Sequence, residues 1–163
     1  MVLMRAATAR DIPAIVTIWE EFMKDHDAML IKENPILKPY LYKNKNASNN
    51  YKKFVQKHIK SKNGIVYIAE IDGKIAGYTL IFIKDEIPIF KIKKTGFGSD
   101  LFVKKEFRGR NISSKLSSIA IKWLKGKAIK CLSLTLYSDN KLAHSIYKKW
   151  GFIDYKIEMR KFI

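Results

Sequence analysis

Two apolar runs, Ile65 to Ile71 and Ile75 to Lys84, meet at Asp72-Gly73. Both residues of that dipeptide tolerate the positive φ of a tight hairpin turn, so the runs pair as antiparallel neighbours and the fold is built on that hairpin. A third run, Thr95 to Val103, reads as another strand and leads through Lys104-Lys105-Glu106-Phe107-Arg108-Gly109 into a helix. That helix carries Ile112, Leu116, Ile119, Ala120 and Trp123 on one side and Lys115, Lys122 and Lys125 on the other, with Gly126 as its stop. Leu132, Leu134 and Leu136 then alternate as a strand that ends at Tyr137-Ser138-Asp139. A short helix follows with Ala143, Ile146, Tyr147 and Trp150 on one face, and Phe152 to Phe162 reads as a final strand or bent pair of strands.

The N-terminal part is helical. After a short strand from Leu3 to Ala7, Thr8 is placed as a helix N-cap with Asp11 at the capping-box position, and Ile12, Ile15, Ile18, Trp19 and Phe22 form one apolar face. Periodicity is lost from Lys32 to Asn50, where Pro35 and Pro39 intervene and the run Lys43 to Asn50 is Asn-rich, so a mobile loop is expected. A second helix from about Asn50 to Lys60 carries Tyr51, Phe54, Val55, His58 and Ile59 on one side. Antiparallel strands followed by a strand, helix, strand, helix, strand order argue an α/β or α+β sheet with helices on its faces. At 163 residues, 47% of them hydrophobic, the chain is expected to form one domain over residues 1–163 with a self-sufficient core.

Thirty-two Lys and Arg against fifteen Asp and Glu give a formal net charge of +17, a field that attracts polyanions. Nucleic acid, an anionic membrane surface or a phosphorylated cofactor would each answer to it, and the scattered lysines do not rank them. The single Cys131 excludes an internal disulfide, and no leader segment opens the sequence, so a cytoplasmic setting is expected. No apolar run is long enough to span a bilayer. His26, His58 and His144 lack zinc-site spacing, so no metal is expected.

The chemistry is carried by two segments: the strand-to-helix junction Phe107-Arg108-Gly109-Arg110-Asn111-Ile112-Ser113-Ser114, and Asp139-Asn140 with Tyr147 and Gly151-Phe152. A helix start offers unpaired N–H groups and a partial positive charge to an anion. Gly109, Ser113 and Ser114 give room for a phosphate to approach the backbone, while Arg108 and Arg110 supply charge-assisted hydrogen bonds.

Here the chain resembles the GCN5-related N-acetyltransferases (GNAT). Their cofactor loop follows Arg/Gln-x-x-Gly-x-Gly/Ala, and Arg108-Gly109-Arg110-Asn111-Ile112-Ser113 sits in register with it, with Asn140, Tyr147 and Gly151-Phe152 downstream. Both family glycines are replaced, by Asn111 and Ser113. Asn is the residue after glycine that best tolerates a left-handed conformation, and Ser is small with an extra donor.

The resemblance implies a mixed, mostly antiparallel central sheet flanked by helices, with a splayed parallel strand pair holding acetyl-CoA. It assigns cofactor contacts to Leu101, Phe102, Val103, Arg108, Gly109, Arg110, Asn111, Ile112, Ser113, Ser114, Asn140 and Tyr147. It implies transfer of an acetyl group to a primary amine, on a small molecule, a polyamine or a peptide, by direct attack in a ternary complex.

Such an amine is mostly protonated at neutral pH and must lose a proton before it attacks. The thioester oxygen gains charge and needs preorganised donors, which the resemblance places on the backbone at Leu101 to Val103. The leaving sulfur needs a proton, for which Tyr147 is the catalytic candidate. Tyr147 also lies on an apolar face and reads equally well as a core tyrosine, and Asn140 reads equally well as a helix cap.

The base is left open. Related enzymes often carry a glutamate on the third strand, where this chain has Phe97 and Ser99, and strict alternation turns Asp100 to the other face. Glu70, Glu86 and an ordered water are alternatives. Glu20, Glu21, Asp25 and Asp27 cluster at one helix end and either wall a site for a cationic acceptor or form a solvated face.

Two other readings stand beside this one. Gly96-Phe97-Gly98 with Phe102 partly matches an RNA-recognition strand, but Ser99 and Asp100 spoil the match, so nucleic acid is not expected as a partner. A CoA-binding protein without turnover is the other alternative, and a homodimer is left open.

Overall fold

A computed structural model describes residues 2–163. Five strands, β1 (Val2–Ala6), β2 (Gly64–Ile71), β3 (Lys74–Asp85), β4 (Lys94–Val103) and β5 (Leu132–Leu134), lie in one sheet in that order. β1 to β4 pair antiparallel, and β5 runs parallel to β4. Asp72 and Gly73 take φ of 49° and 74° in the β2–β3 turn, the left-handed conformation that the dipeptide favours.

The helices are α1 (Ile12–Glu33), α2 (Ala47–Lys60), α3 (Ile112–Gly126) and α4 (Lys141–Lys149). Ile12, Ile15 and Ile18 of α1 and Tyr51 and Val55 of α2 pack on one face of the sheet against Val66, Ile68, Tyr78, Leu80 and Phe102. Ile112, Leu116, Ala120 and Leu124 of α3 cover the opposite face at Ala69, Ile71, Ala76 and Ile81. Because both faces of β2 and β3 are covered, their sequences read as nearly continuous apolar runs instead of alternating ones.

Arg5 ties three elements together. Its guanidinium donates to Asp11 Oδ1 at 2.8 Å and Oδ2 at 2.9 Å, and to Glu70 Oε2 at 3.0 Å. Asp11 Oδ2 also accepts from the Thr8 N–H at 2.7 Å and the Thr8 hydroxyl at 2.9 Å, which fixes the entry to α1. The Arg5 guanidinium holds the Asp11 carboxyl well below the usual carboxylate range.

Three expectations are corrected. The stretch from Lys32 to Asn50 is not all loop: α1 runs to Glu33, a 3-10 helix occupies Pro35–Leu41, and α2 begins at Ala47. A helix with three residues per turn carries no 3.6-residue signature, and Leu41 is buried nonetheless. The strand expected through Leu136 ends at Leu134. The strand expected over Phe152 to Phe162 does not form, since no residue there joins a ladder. A strand persists only where its N–H and C=O groups find an edge, and this segment is held elsewhere: Asp154 lies against His144 and Lys148 of α4, and the Phe162 ring is 4.4 Å from that of Tyr40.

Gly77 of β3 faces Val103 of β4, and a Cβ there would lie 2.4 Å from the Phe102 carbonyl oxygen. The obstacle is backbone in the middle of the sheet, so it cannot swing aside. Gly77→Ala is expected to destabilise the fold by about 2–3 kcal/mol, read as a lower urea midpoint with an unchanged slope.

Candidate active site

β4 and β5 share only three rungs, Gly96 with Leu132, Phe97 with Ser133 and Gly98 with Leu134. Immediately afterwards β4 bulges: Ile81 of β3 faces Gly98, Leu80 faces Asp100, and Ser99 faces nothing. A bulge bends its strand and increases the twist. Beyond it β4 continues to Val103 beside β3 alone, and the parallel pair opens into a cleft.

The phase of the ladder decides what the open edge offers. The Lys104 N–H donates to Ala76 O at 2.9 Å, so alternation turns the polar groups of Phe102 toward β3 and those of Leu101 and Val103 toward the cleft. The Val103 carbonyl accepts from Arg108 Nε at 3.0 Å, in keeping with that phase. Phe102 differs from its two neighbours. Its N–H serves the β3 ladder, and its ring packs 4.9 Å from that of Phe22 in α1.

The loop before α3 curls through two left-handed residues, Gly109 at φ 76° and Asn111 at φ 58°. Such alternation of hand turns successive N–H groups toward a common concavity, and the first turn of α3 adds its own unpaired donors at Ile112, Ser113 and Ser114. Ile112 is buried in the α3 core, so it can contribute only its backbone. The guanidinium of Arg108 lies 5.9 Å from the ring centroid of Phe102 and that of Arg110 lies 5.6 Å from that of Phe107. Both cations thereby stay beside the loop while remaining exposed. The cradle is basic, concave and rich in backbone donors, which fits a pyrophosphate.

α4 forms the other wall. Asn140 caps it, with Oδ1 accepting from the Ala143 N–H at 3.2 Å. One cleft is lined by Ser99, Asp100, Leu101, Ser117, Leu134 and Tyr147. Tyr147 packs edge-on against Trp150 and Phe152 at 5.7 and 5.5 Å, and its hydroxyl meets no hydrogen-bond partner among the described residues. Burial, reinforced by the Asp100 charge, pushes its pKa up. The tyrosine is therefore both packed and directed into the cleft.

Asp100 is the group that sequence alternation misplaced. Strict period two would set it opposite Phe97, but the extra residue Ser99 returns it to the same face, beside Tyr51 of α2 and Tyr78 of β3. Those two hydroxyls lie 2.9 Å apart in the core. Asp100 Oδ2 is sealed from solvent and has no hydrogen-bond partner. Burial pushes the carboxyl up to about 6, against smaller stabilisation of the charged form by Ser99 and Tyr51. The signal in the sequence was that Asp100 is the one carboxylate in the run Thr95 to Val103.

The alternative carboxylates stand elsewhere. Glu70 is engaged by Arg5 on β2, and Glu86 lies past β3 where its N–H bonds Lys93 O, at the end of the hairpin away from the bulge. Of the acidic helix end, Asp25 pairs with Lys105 at 2.7 Å and Asp27 with Lys43. Those two carboxylates are already partly neutralised.

A family model for the acetyltransferases of the GNAT family matches residues 19–152. The chain belongs to the GNAT family. An uncharacterized N-acetyltransferase of Archaeoglobus fulgidus is 32% identical over 111 residues, which is 68% of this chain and 73% of that protein. A predicted acetyltransferase of Clostridium acetobutylicum, solved with acetyl-CoA, superposes with a TM-score of 0.75 at 21% identity, covering 99% of this chain and 96% of that one. An aminoglycoside N-acetyltransferase solved with CoA superposes with a TM-score of 0.70 at 15% identity, covering 99% and 95%. This GNAT chain is thus an acetyltransferase, with the family's mixed sheet and its one parallel strand pair.

Asp100 should leave a mark on stability. A carboxyl whose folded pKa is raised favours folding below its unfolded value near ~4 and loses that contribution as pH rises through about 6. Relative to Asp100→Asn, the wild-type chain is therefore expected to lose on the order of 2 kcal/mol between pH 4 and pH 7. Urea denaturation of both proteins at the two pH values measures it.

Proposed function

We propose that this GNAT acetyltransferase transfers the acetyl group of acetyl-CoA to a primary amine by direct attack in a ternary complex, with Asp100 accepting the amine proton and Tyr147 protonating the leaving sulfur. The observation that carries the proposal is one cleft lined by the half-buried Asp100, by Tyr147 and by Leu101 of the open β4 edge. Acetyl-CoA, the acyl donor, supplies when bound a thioester carbon that an amine can attack.

The chain's own groups divide the remaining work. Gly109, Arg110, Asn111, Ile112, Ser113 and Ser114 would hold the pyrophosphate by backbone N–H groups and the Arg110 guanidinium, with Arg108 beside them. Leu101 and Val103 offer N–H groups at the open edge for the carbonyl oxygen and the pantetheine amides. The Asn140 amide nitrogen is free for the same ligand while its oxygen caps α4. Asp100, with its carboxyl at about 6, is ionised at neutral pH and basic enough to take a proton from an ammonium group. Tyr147, with its pKa raised, is protonated at the same pH and can give one. Two groups in one cleft whose surroundings hold one ionised and the other protonated are what a proton-accepting and a proton-donating step require.

The N-acetyltransferase relatives support a nitrogen acceptor, and the aminoglycoside enzyme of similar fold supports a small polycationic amine among the candidates. A polyamine or a peptide amine fits the same carboxylate. A reducing cytoplasmic setting agrees with the lone, half-buried Cys131.

Tyr147→Phe is expected to lower kcat by ~10²-fold while the rise in Tm caused by acetyl-CoA stays as in the wild type. A wild-type kcat in that variant removes the tyrosine from the chemistry. Asp100→Asn is expected to abolish the fall in kcat/KM on the acid side of about pH 6. Retention of that limb in the variant assigns the titration to another group.

A further inference from the structure

Three connections meet at one end of the sheet. The Ile83 N–H donates to Asn63 O at 2.7 Å, which sets the α2–β2 connection beside the end of β3, and the Gly96 N–H donates to Cys131 O at 2.9 Å, which sets the α3–β5 connection beside the start of β4. Between them the β3–β4 hairpin projects as a loop over residues 86–93. Its Glu86 N–H bonds Lys93 O at 2.9 Å and its Phe90 N–H bonds Ile87 O at 3.1 Å, so the backbone turns back on itself at a defined tip.

That tip is apolar and uncovered. Ile87, Ile89, Phe90 and Ile92 expose 56%, 82%, 45% and 52% of their surface, and none of them joins a core cluster. A single exposed isoleucine is ordinary, but four apolar side chains on one short projection are a patch that folding leaves in water.

The surroundings of the tip are basic. Lys91, Lys93 and Lys94 lie on the hairpin itself, Lys60 and Lys62 flank the α2–β2 connection, and Lys127 and Lys130 belong to the α3–β5 connection. All of these lysines are exposed, and the lysines that pair with carboxylates among the described residues, Lys43, Lys105 and Lys148, stand elsewhere. Asp85 and Glu86 at the base of the hairpin are the acidic residues of this end. An apolar tip ringed by cations matches a surface that is anionic outside and hydrocarbon beneath.

We propose that this end of the molecule docks on an anionic lipid bilayer, with Ile87, Ile89, Phe90 and Ile92 entering the boundary between headgroups and acyl chains and the lysines lying over the headgroups. Attachment is peripheral, since no helix among the described residues is long and apolar enough to cross a membrane. The side chains favour lipid over nucleic acid: bases are gripped by stacked rings and phosphates by forked guanidiniums, whereas the three connections offer Phe90 as their one ring and no arginine. A second copy is disfavoured by its own +17 charge. β4 runs from Lys94 beside the tip to Val103 near the α3 cradle, roughly 30 Å at the rise of a strand, so docking at one end leaves the cradle open at the other.

Vesicles supply the test. Phosphatidylcholine vesicles with about one-third phosphatidylserine are expected to carry the full chain down on centrifugation, phosphatidylcholine alone to leave it in solution, and added salt to weaken the binding. The double variant Ile89→Ser, Phe90→Ser keeps the net charge and is expected to bind the anionic vesicles ~10-fold more weakly with an unchanged Tm. Phe90→Trp is expected to be quenched by acyl-chain-brominated lipids beyond the quenching of the wild-type chain. The proposal is overturned if anionic vesicles leave the chain in solution at low salt, if the double variant binds them undiminished, or if Phe90→Trp shows no added quenching. Tighter binding to polyuridylic acid than to the vesicles at the same salt also overturns it and assigns the basic end to nucleic acid. Self-association that the double variant abolishes overturns it too, because the tip is then a contact between copies.

Discussion

Ser99 has no opposite number on β3, and the sheet changes character at that residue. Before it β4 is an ordinary internal strand with neighbours on both sides; after it the strand bends away from β5 and keeps only one ladder. The bend exposes the N–H groups of Leu101 and Val103, and the shift in phase brings Asp100 to the face of Tyr51 and Tyr78. Without the extra residue the phase of β4 would turn Asp100 to the face that α3 covers. The open edge and the buried carboxylate thus arise from one local irregularity, a common place for a bulge to be kept.

The rest of the molecule holds that irregularity in place. The Arg5 fork to Asp11 and Glu70 locks β1, β2 and the start of α1 as one piece. On that base α1 and α2 pack Phe22 and Tyr51 against the far side of β4. The carboxyl of Asp100 therefore lies beside the buried Tyr51 and Tyr78, and its raised pKa follows from that burial. Burying a carboxylate in this way costs stability above its pKa, a cost borne by the well-packed sheet around it.

What could be read from the sequence was whatever depends on near neighbours. The Asp72-Gly73 turn, the apolar stripe of α3 from Ile112 to its stop at Gly126, and the left-handed tolerance of Asn111 are properties of a few adjacent residues, and each is seen. The Asp100 face was not legible, because it turns on how β4 registers against β3, a pairing across the chain. The first turn of α2 was hidden by the poor helix formers Ser48, Asn49 and Asn50, which tertiary packing overrides. The tail illustrates the opposite failure. Its alternation from Ile153 to Arg160 is a true strand pattern, but a pattern cannot supply a partner edge. For the site, the junction at Arg108 to Ser114 and the positions of Asn140 and Tyr147 were legible as sequence features, while the sealed carboxylate beside them needed three dimensions.

The two left-handed residues before α3 also bear on the thermodynamics of ligand capture. Glycine at such a position roams over a wide region of φ and ψ until a ligand holds it, and ordering it is then a cost of association. Asn111 has a side chain that narrows its choices, and at φ 58° it already occupies the conformation that the curled loop needs. Its conformational entropy is surrendered when the chain folds, so less remains to be surrendered when an anion arrives. Exchanging glycine for asparagine here moves an expense from binding to folding, and leaves a cradle whose shape does not wait for its guest.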